Sequence, residues 1–434
     1  MRIAAASMPS ITGRKSDMAS YRRQIPVVTL MVACSVMSYF DRTIMSIAGP
    51  QVMKEFGLSA TQMGSVYSAF ILSYAILMIP GGHVADRLGP RLALLLMNFS
   101  AALFTGLTAF AGRPGLGSIV GVLPALIAIR LGLGAGTAPL YPACARMSAY
   151  WIPIAHQGAV QGLIIAGASL GGAVSPLLFS WLIRLYQWRL SFLIAALATA
   201  GLAVVWFWSV RDHPAGAQVN SPIQQPSTAW RRLFANRSLM LLTLAYFALN
   251  YFEYIFFYWI YYYLGEVRHV GLARSATYTT IIFLTMGIMM PLGGWISDCV
   301  TRSRGAKSGR RVVPMIGMAL GAVLLYAGTV VPGTAAAVIS LSLAIGFASW
   351  CEGPFWACAI EVSDTQVGAA CGILNTGGNA GGFFAPVITP YIAARAGWQW
   401  GLYSGSLMAI LGVIACYFVV PTSQGEQGQA HRAR

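Results

Sequence analysis

Five ionisable side chains stand inside stretches that are otherwise long and apolar: Asp41 and Arg42, then Arg130, Glu253 and Glu352. A charge at the middle of a membrane helix costs about 2.5–3.5 kcal/mol on insertion scales, so each should have a partner or face a cavity. Arginine keeps its charge at any accessible pH and offers a planar fork that matches a carboxylate, which suits Arg42 and Arg130 to an anion receptor. A carboxyl, by contrast, can be neutralised, because burial favours the neutral form and a nearby arginine the charged one. Three acids against two arginines leave one acid able to titrate. Asp41 is one candidate, and Glu253 or Glu352 is a second protonation site. Competing readings are a static Asp41–Arg42 compensation that helps insertion and, for one glutamate, a contact to a cationic part of a substrate or to a tyrosine.

The elements that must hold these groups follow from composition. The chain is 57% hydrophobic and 9% charged over 434 residues, against roughly 45–50% and about 25% for soluble domains, which places it in the membrane class. A spanning helix needs about 20 mostly apolar residues. Twelve such stretches occur, at 25–48, 60–81, 92–112, 117–140, 158–184, 189–210, 238–264, 274–297, 312–332, 334–360, 367–394 and 398–421. A polar segment at 211–237 divides them into six plus six, with tails at 1–24 and 422–434. The first apolar run is longer than a signal-peptide core of 7–15 residues and is read as a retained helix.

Orientation follows from Lys and Arg. With a cytoplasmic N-terminus, 19 of the 28 basic residues fall on the cytoplasmic side, seven opposite, and Arg42 and Arg130 inside, in agreement with the positive-inside rule. Both termini are then cytoplasmic. The net charge of +16 is spread over short loops instead of forming one face, which argues against a nucleic-acid partner. The seven cysteines have no metal-ligand spacing and read as small apolar side chains. The five histidines form no triad or metal cluster, and Gly132, Gly134 and Gly136 lie in a spanning helix with no strand before them, so they read as helix-packing residues. No metal, no cofactor and no enzymatic activity are expected.

The halves repeat each other. Gly158, Gly162, Gly171, Gly172, Pro176 and Trp188 recur 210 positions later as Gly368, Gly372, Gly381, Gly382, Pro386 and Trp398, and Gly82 and Asp86 recur 212 positions later as Gly294 and Asp298. By the 212 offset Glu253 is the counterpart of Asp41. A six-helix repeat implies two bundles meeting at a central cavity, with the substrate site near the midplane and alternating access by rocking.

Gly82-His83-Val84-Ala85-Asp86-Arg87-Leu88-Gly89-Pro90-Arg91 resembles the G-x-x-x-D-R-x-G-x-R signature of the major facilitator superfamily, with a degenerate copy at Gly294–Asp298 followed by Arg302. The resemblance implies an all-α integral membrane protein of twelve transmembrane helices in two pseudo-symmetric six-helix bundles. Gly82, Asp86, Arg87, Gly89, Arg91, Asp298 and Arg302 form the expected cytoplasmic gate. Asp86 is expected to latch onto the helix start near Gly368, and Asp298 onto the one near Gly158, because a helix N-terminus attracts negative charge. The alternative is that these charges only set topology.

Tyr39-Phe40-Asp41-Arg42, Arg130-Leu131-Gly132-Leu133-Gly134 with Tyr141-Pro142-Ala143, and Asn375-Thr376-Gly377-Gly378-Asn379 are similar to the anion:cation symporter family of sugar-acid, hexuronate and other organic-anion carriers. That resemblance implies that Arg42 and Arg130 hold a substrate carboxylate and that Asp41 takes part in proton coupling. It departs at Thr137, where the family often has a glutamate. Tyr39, Tyr74, Asn250, Tyr254, Asn375 and Asn379 are further cavity candidates, while Tyr261 to Tyr263 read as an aromatic belt. The implied activity is import of a small organic anion by proton symport, in a bacterial inner membrane and as a monomer. An exporter or antiporter of the same fold and a non-transporting receptor are the alternatives.

Overall fold

The computed structural model describes residues 11–113, 121–213, 230–305, 307–362 and 367–420; within them, the side chains of 11–23, 79, 86, 154–159, 230–232 and 367–369 are not described. The tail at 422–434, most of the 211–237 segment, the Asp86 carboxylate and the helix starts at Gly158 and Gly368 therefore lie outside the described residues and side chains.

The described residues are helical, without a strand. The first half contains α1 (Ile11–Phe56), α2 (Ala60–Leu88), α3 (Pro90–Thr108), α4 (Val122–Thr137), α5 (Leu140–Trp151) and α6 (Ile154–Ser209). The second half contains α7 (Trp230–Ala235), α8 (Arg237–Tyr262), α9 (Leu272–Arg304), α10 (Val313–Val330), α11 (Thr334–Ala348), α12 (Glu352–Val362), α13 (Val367–Ala396) and α14 (Trp398–Tyr417). Nine described segments are long and apolar enough to cross a membrane, and one of these, Val160–Ser209, holds two limbs that bend at Gln187. Helix α1 begins well inside the stretch expected as a tail.

Local sequence explains several boundaries. Ser59 and Gln62 close a capping box at the start of α2, each side chain accepting from the other's backbone N–H. The Asn236 side chain accepts from the Leu239 N–H at 3.2 Å and caps α8. Breaks recur in the two halves: α4 passes to α5 at Ala138–Pro139, and α11 passes to α12 through a single turn at Ser349–Cys351. Proline has no N–H to continue the helical ladder, and each break lies just ahead of a proline, Pro142 or Pro354.

Packing follows the repeat. Helix α1 lies along α6 as α8 lies along α13. A Cβ at Gly171 would strike the Val36 carbonyl of α1, and one at Gly381 would strike the Phe247 carbonyl of α8. Small residues are what let helices approach this closely. The halves meet where α2 packs on α13, α6 on α9, and α1 on α8.

The aromatic belt expected at Tyr261–Tyr263 is not formed. Tyr261 and Tyr263 are buried, and Tyr262 packs its ring on Trp398 at 5.1 Å. The cause is a π-helical turn at Tyr263–Val267 and the start of α9 behind it, where the Ser275 hydroxyl donates to the Tyr261 carbonyl at 2.7 Å.

Candidate functional site

Asp41 and Arg42 are neighbours on α1, so their side chains leave the helix about 100° apart and reach different surroundings. Arg42 crosses to the second half. It donates to the Tyr254 hydroxyl and, from Nε, to the Tyr258 hydroxyl at 3.4 Å. Its guanidinium lies 4.9–5.2 Å from the ring centres of Tyr39, Phe70 and Tyr254, close enough for cation–π attraction. Tyr74 stacks on Phe70 at 5.8 Å and closes the same aromatic enclosure.

Asp41 turns into its own half. Its Oδ2 accepts from the Thr199 hydroxyl at 2.8 Å, and its Oδ1 is buried without a hydrogen-bond partner. The described residues contain no Asp41–Arg42 ion pair. Arg130, 2% exposed, donates from Nη1 to the Asp41 main-chain carbonyl at 3.4 Å, while Nε and Nη2 are buried without acceptors. Arg130 also lies beside Tyr258 and Tyr67. Tyr258 thus borders both arginines. Thr137 gives its hydroxyl to the Leu133 carbonyl at 2.8 Å and supplies no acid.

A second group forms on α8, α12 and α13. The Trp356 indole N–H donates to the Tyr246 hydroxyl at 3.2 Å, and that hydroxyl donates to Glu352 Oε2 at 3.1 Å. Indole nitrogen only donates, so the direction of the chain is set and Glu352 is its acceptor. Glu253 is buried near Glu352, and its Oε1 has no partner. The Asn250 amide donates to the Tyr246 carbonyl at 3.1 Å and Asn379 to the Asn375 carbonyl at 3.0 Å. Asn375 contacts the Met78 sulfur across the halves at 3.1 Å.

The expected residues thus separate into two sets. Tyr39, Asp41, Arg42, Tyr74, Arg130 and Tyr254 lie around the two arginines, and Asn250, Glu253, Glu352, Asn375 and Asn379 belong to the second group on α8, α12 and α13. Tyr67, Phe70, Thr199, Tyr246, Tyr258 and Trp356 were not among the expected site residues. Spacing puts Tyr258 on the face of Asn250 and Tyr254 and would also have found Tyr246, one four-residue step before Asn250 on the same face of α8.

The halves are pressed together at the end where α2 begins and α8 ends. Tyr67 stacks on Tyr258 at 4.9 Å and meets Trp259 edge-on at 5.5 Å. The Ser68 hydroxyl donates to the Phe383 carbonyl at 2.6 Å, and Thr280 to the Ala173 carbonyl at 3.0 Å.

At the opposite end, Gly89 holds φ +82, a conformation that favours glycine, and turns the chain from α2 into α3. Arg91 fixes the turn: its N–H donates to Asp212 Oδ1 at 3.0 Å and its guanidinium to the Phe207 carbonyl at 2.7 Å. Gly82 faces Pro142, and Arg87 is exposed. Asp298 is held by Arg310 at 2.6 Å, and Arg310 also binds Glu361 at 3.0 Å. The described partner of Asp298 is therefore an arginine of its own half, and Arg302 is exposed.

The sequence profile of the Major Facilitator Superfamily matches residues 31–365 and 279–433. The chain belongs to that superfamily. It is 29% identical to a probable sulfoacetate transporter of Cupriavidus necator, with 91% of this chain and 93% of that protein aligned. It is 28% identical to a hexuronate transporter of Bacillus subtilis (92% and 95% covered) and 26% identical to a D-galactonate transporter of Escherichia coli (92% and 96% covered). Among solved structures, a bacterial homolog of the human lysosomal transporter Spinster, inward-facing and unoccupied, superposes with a TM-score of 0.71 at 18% identity, covering 92% of this chain and 96% of that one. A D-xylose-proton symporter superposes with a TM-score of 0.70 at 15% identity, covering 92% and 98%. The protein is accordingly an integral membrane transporter and not an enzyme.

Proposed function

We propose that this superfamily member imports a small organic anion, of the sugar-acid or related carboxylate or sulfonate class, together with protons. The observation that carries the reading is Arg130: two of its guanidinium nitrogens are buried without acceptors beside an Asp41 carboxylate that also has an unpartnered oxygen. Burying such groups without partners is costly, and an incoming anion supplies the missing acceptors in bidentate geometry. The relatives' names, sulfoacetate, hexuronate and D-galactonate, agree in being organic acids.

In this reading twelve helices form two six-helix bundles, at 25–210 and 238–421, and both termini are cytoplasmic. The sealed end is periplasmic and the conformation inward-facing. Arg42 gives up Tyr254 and Tyr258 for substrate, which connects binding to the bundle interface because both tyrosines belong to the other half. Asp41 takes and releases the proton, with Glu253 and Glu352 as the remaining proton carriers. Gly82, Asp86, Arg87, Gly89, Arg91, Asp298 and Arg302 belong to the cytoplasmic gate, to which Arg310 and Glu361 are added. The protein works as a monomer in a bacterial inner membrane.

The test is counterflow and pH-driven uptake of labelled D-galactonate, glucuronate and sulfoacetate in proteoliposomes. Accumulation of one of them above equilibrium under an inward proton gradient supports import by symport. Accumulation only against an outward gradient makes the protein an antiporter, and binding without counterflow makes it a receptor.

A further inference from the structure

Both arginines of the site are buried, and neither is paired with an acid. Arg42 is 7% and Arg130 2% exposed, and among the described residues no carboxylate lies within ion-pair distance of either. Arg42 is met by the hydroxyls of Tyr254 and Tyr258 and by three aromatic faces. Arg130 holds one main-chain carbonyl and has two nitrogens without acceptors. Neutral oxygens and ring faces attract a guanidinium but do not cancel its charge.

The charges available around them do not close the balance. Asp41 is the acid beside them on α1, and its carboxylate turns to Thr199. Thr137 lies two turns beyond Arg130 on the same face, gives its hydroxyl to the Leu133 carbonyl and adds no negative charge. Two arginines against one acid leave a surplus of one positive charge when Asp41 is ionised. With the proton on Asp41, as the symport reading has it at the loaded stage, the surplus is two. A buried ion is strongly disfavoured unless paired, so a substrate with a single negative charge leaves one arginine uncompensated.

The two positive charges also start from one place. Arg130 Nη1 lies 3.4 Å from the Asp41 carbonyl, and that carbonyl carbon is bonded to the main-chain nitrogen of Arg42. From this point the Arg42 side chain runs to Tyr258, whose hydroxyl accepts from Nε at 3.4 Å and which also borders Arg130. A ligand that replaces the Tyr258 hydroxyl therefore meets both guanidinium groups. Charge-assisted bonds of about 2.7–2.9 Å at each end leave room for a short spacer between two acidic groups, and a long spacer would have to fold back on itself.

Resting on the anion-binding reading above, we infer that the substrate this site holds best is a short dianion, two acidic groups joined through one or two carbon atoms, with one group on Arg130 and the other on Arg42. The acidic groups are carboxylates, or one carboxylate and one sulfonate.

The test uses the purified full chain in detergent and measures binding at neutral pH of malonate, succinate and sulfoacetate, each beside the half-amide that keeps one acidic group and the same shape. Adipate with its half-amide controls for length, and D-galactonate serves as a reference with one charge. The expected result is that at least one short dianion binds about tenfold or more tighter than its half-amide, as a second hydrogen bond between charged groups affords, that adipate gains nothing over its half-amide, and that Arg42→Gln brings the dianion to half-amide ratio close to one. Half-amides or D-galactonate bound as tightly as the short dianions overturn the inference while leaving the anion site standing. An equal advantage for adipate overturns the short spacing, and an advantage that survives Arg42→Gln in full overturns the role given to Arg42. Failure of every anion to bind overturns the anion reading as well. The ligand comparison in wild type is decisive even where Arg42→Gln does not fold.

Discussion

Arg42 and Tyr254 are hydrogen-bonded across the bundle interface and lie 212 positions apart in the chain, the offset that also relates Asp41 to Glu253. Equivalent positions of a pseudo-symmetric pair can touch only near the axis that relates them, so this contact marks the centre of the transporter. The neighbouring acids, one residue earlier on each helix, turn away from the axis into their own halves.

Arg42→Gln should weaken anion binding by about 1.5–3 kcal/mol, the range for hydrogen bonds to charged groups, a loss of roughly tenfold to 150-fold in affinity. Tyr254→Phe removes only the competing acceptor and should leave affinity equal or tighter. Calorimetric titration of both variants with D-galactonate checks this; weaker binding by Tyr254→Phe than by Arg42→Gln would contradict the exchange of tyrosine for substrate.

Asp41→Asn cannot release a proton. Counterflow should persist while accumulation driven by a pH gradient is lost, so that uptake becomes flat with external pH. Parallel measurement of the two activities in proteoliposomes separates this outcome from simple loss of binding, in which both would fall together.

Gly171→Ala and Gly381→Ala each place a methyl group against a backbone carbonyl, which can move only by separating two helices. Overpacking of this kind costs about 1–3 kcal/mol. Gly162→Ala meets nothing within 4 Å and should be neutral or stabilising in the same melting experiment, since alanine is the better helix former.

Asp212→Ala removes the carboxylate that accepts from the first turn of α3. Loss of a helix cap costs about 1 kcal/mol, and the turn at Gly89 should become more open to proteolysis. Limited digestion of membranes carrying each form reads this directly.

Arg310 is 13% exposed between Asp298, 48% exposed, and Glu361, 23% exposed. A double-mutant cycle on melting temperature with Arg310→Gln and Glu361→Gln should give a coupling near 1 kcal/mol, and one with Asp298→Asn less, because solvent screens the more exposed pair.

Much of this arrangement is legible in the chain. Apolar length marks most of the spans, because lipid requires each to satisfy its backbone within itself. Gly171 and Gly381 announce the close helix pairs, Gly89 the turn, and the five ionisable residues inside apolar stretches the polar interior. Arg310 as a partner of Asp298 was not legible, since a charge near a connection takes whichever partner the folded loop brings near it. The belt reading of Tyr261–Tyr263 treated a helix end as lipid-facing, when packing against α9 buries it.

Where charge enters the membrane and which positions in the two halves are equivalent can be read from the residues alone, because cost in lipid and internal repetition are properties of the chain. Which neighbour each charge meets depends on how the helices pack. Asp41 and Arg42 are adjacent in sequence, yet one turns to Thr199 and the other to Tyr254, because successive residues of a helix point about 100° apart and the packing of other helices chooses what stands in each direction.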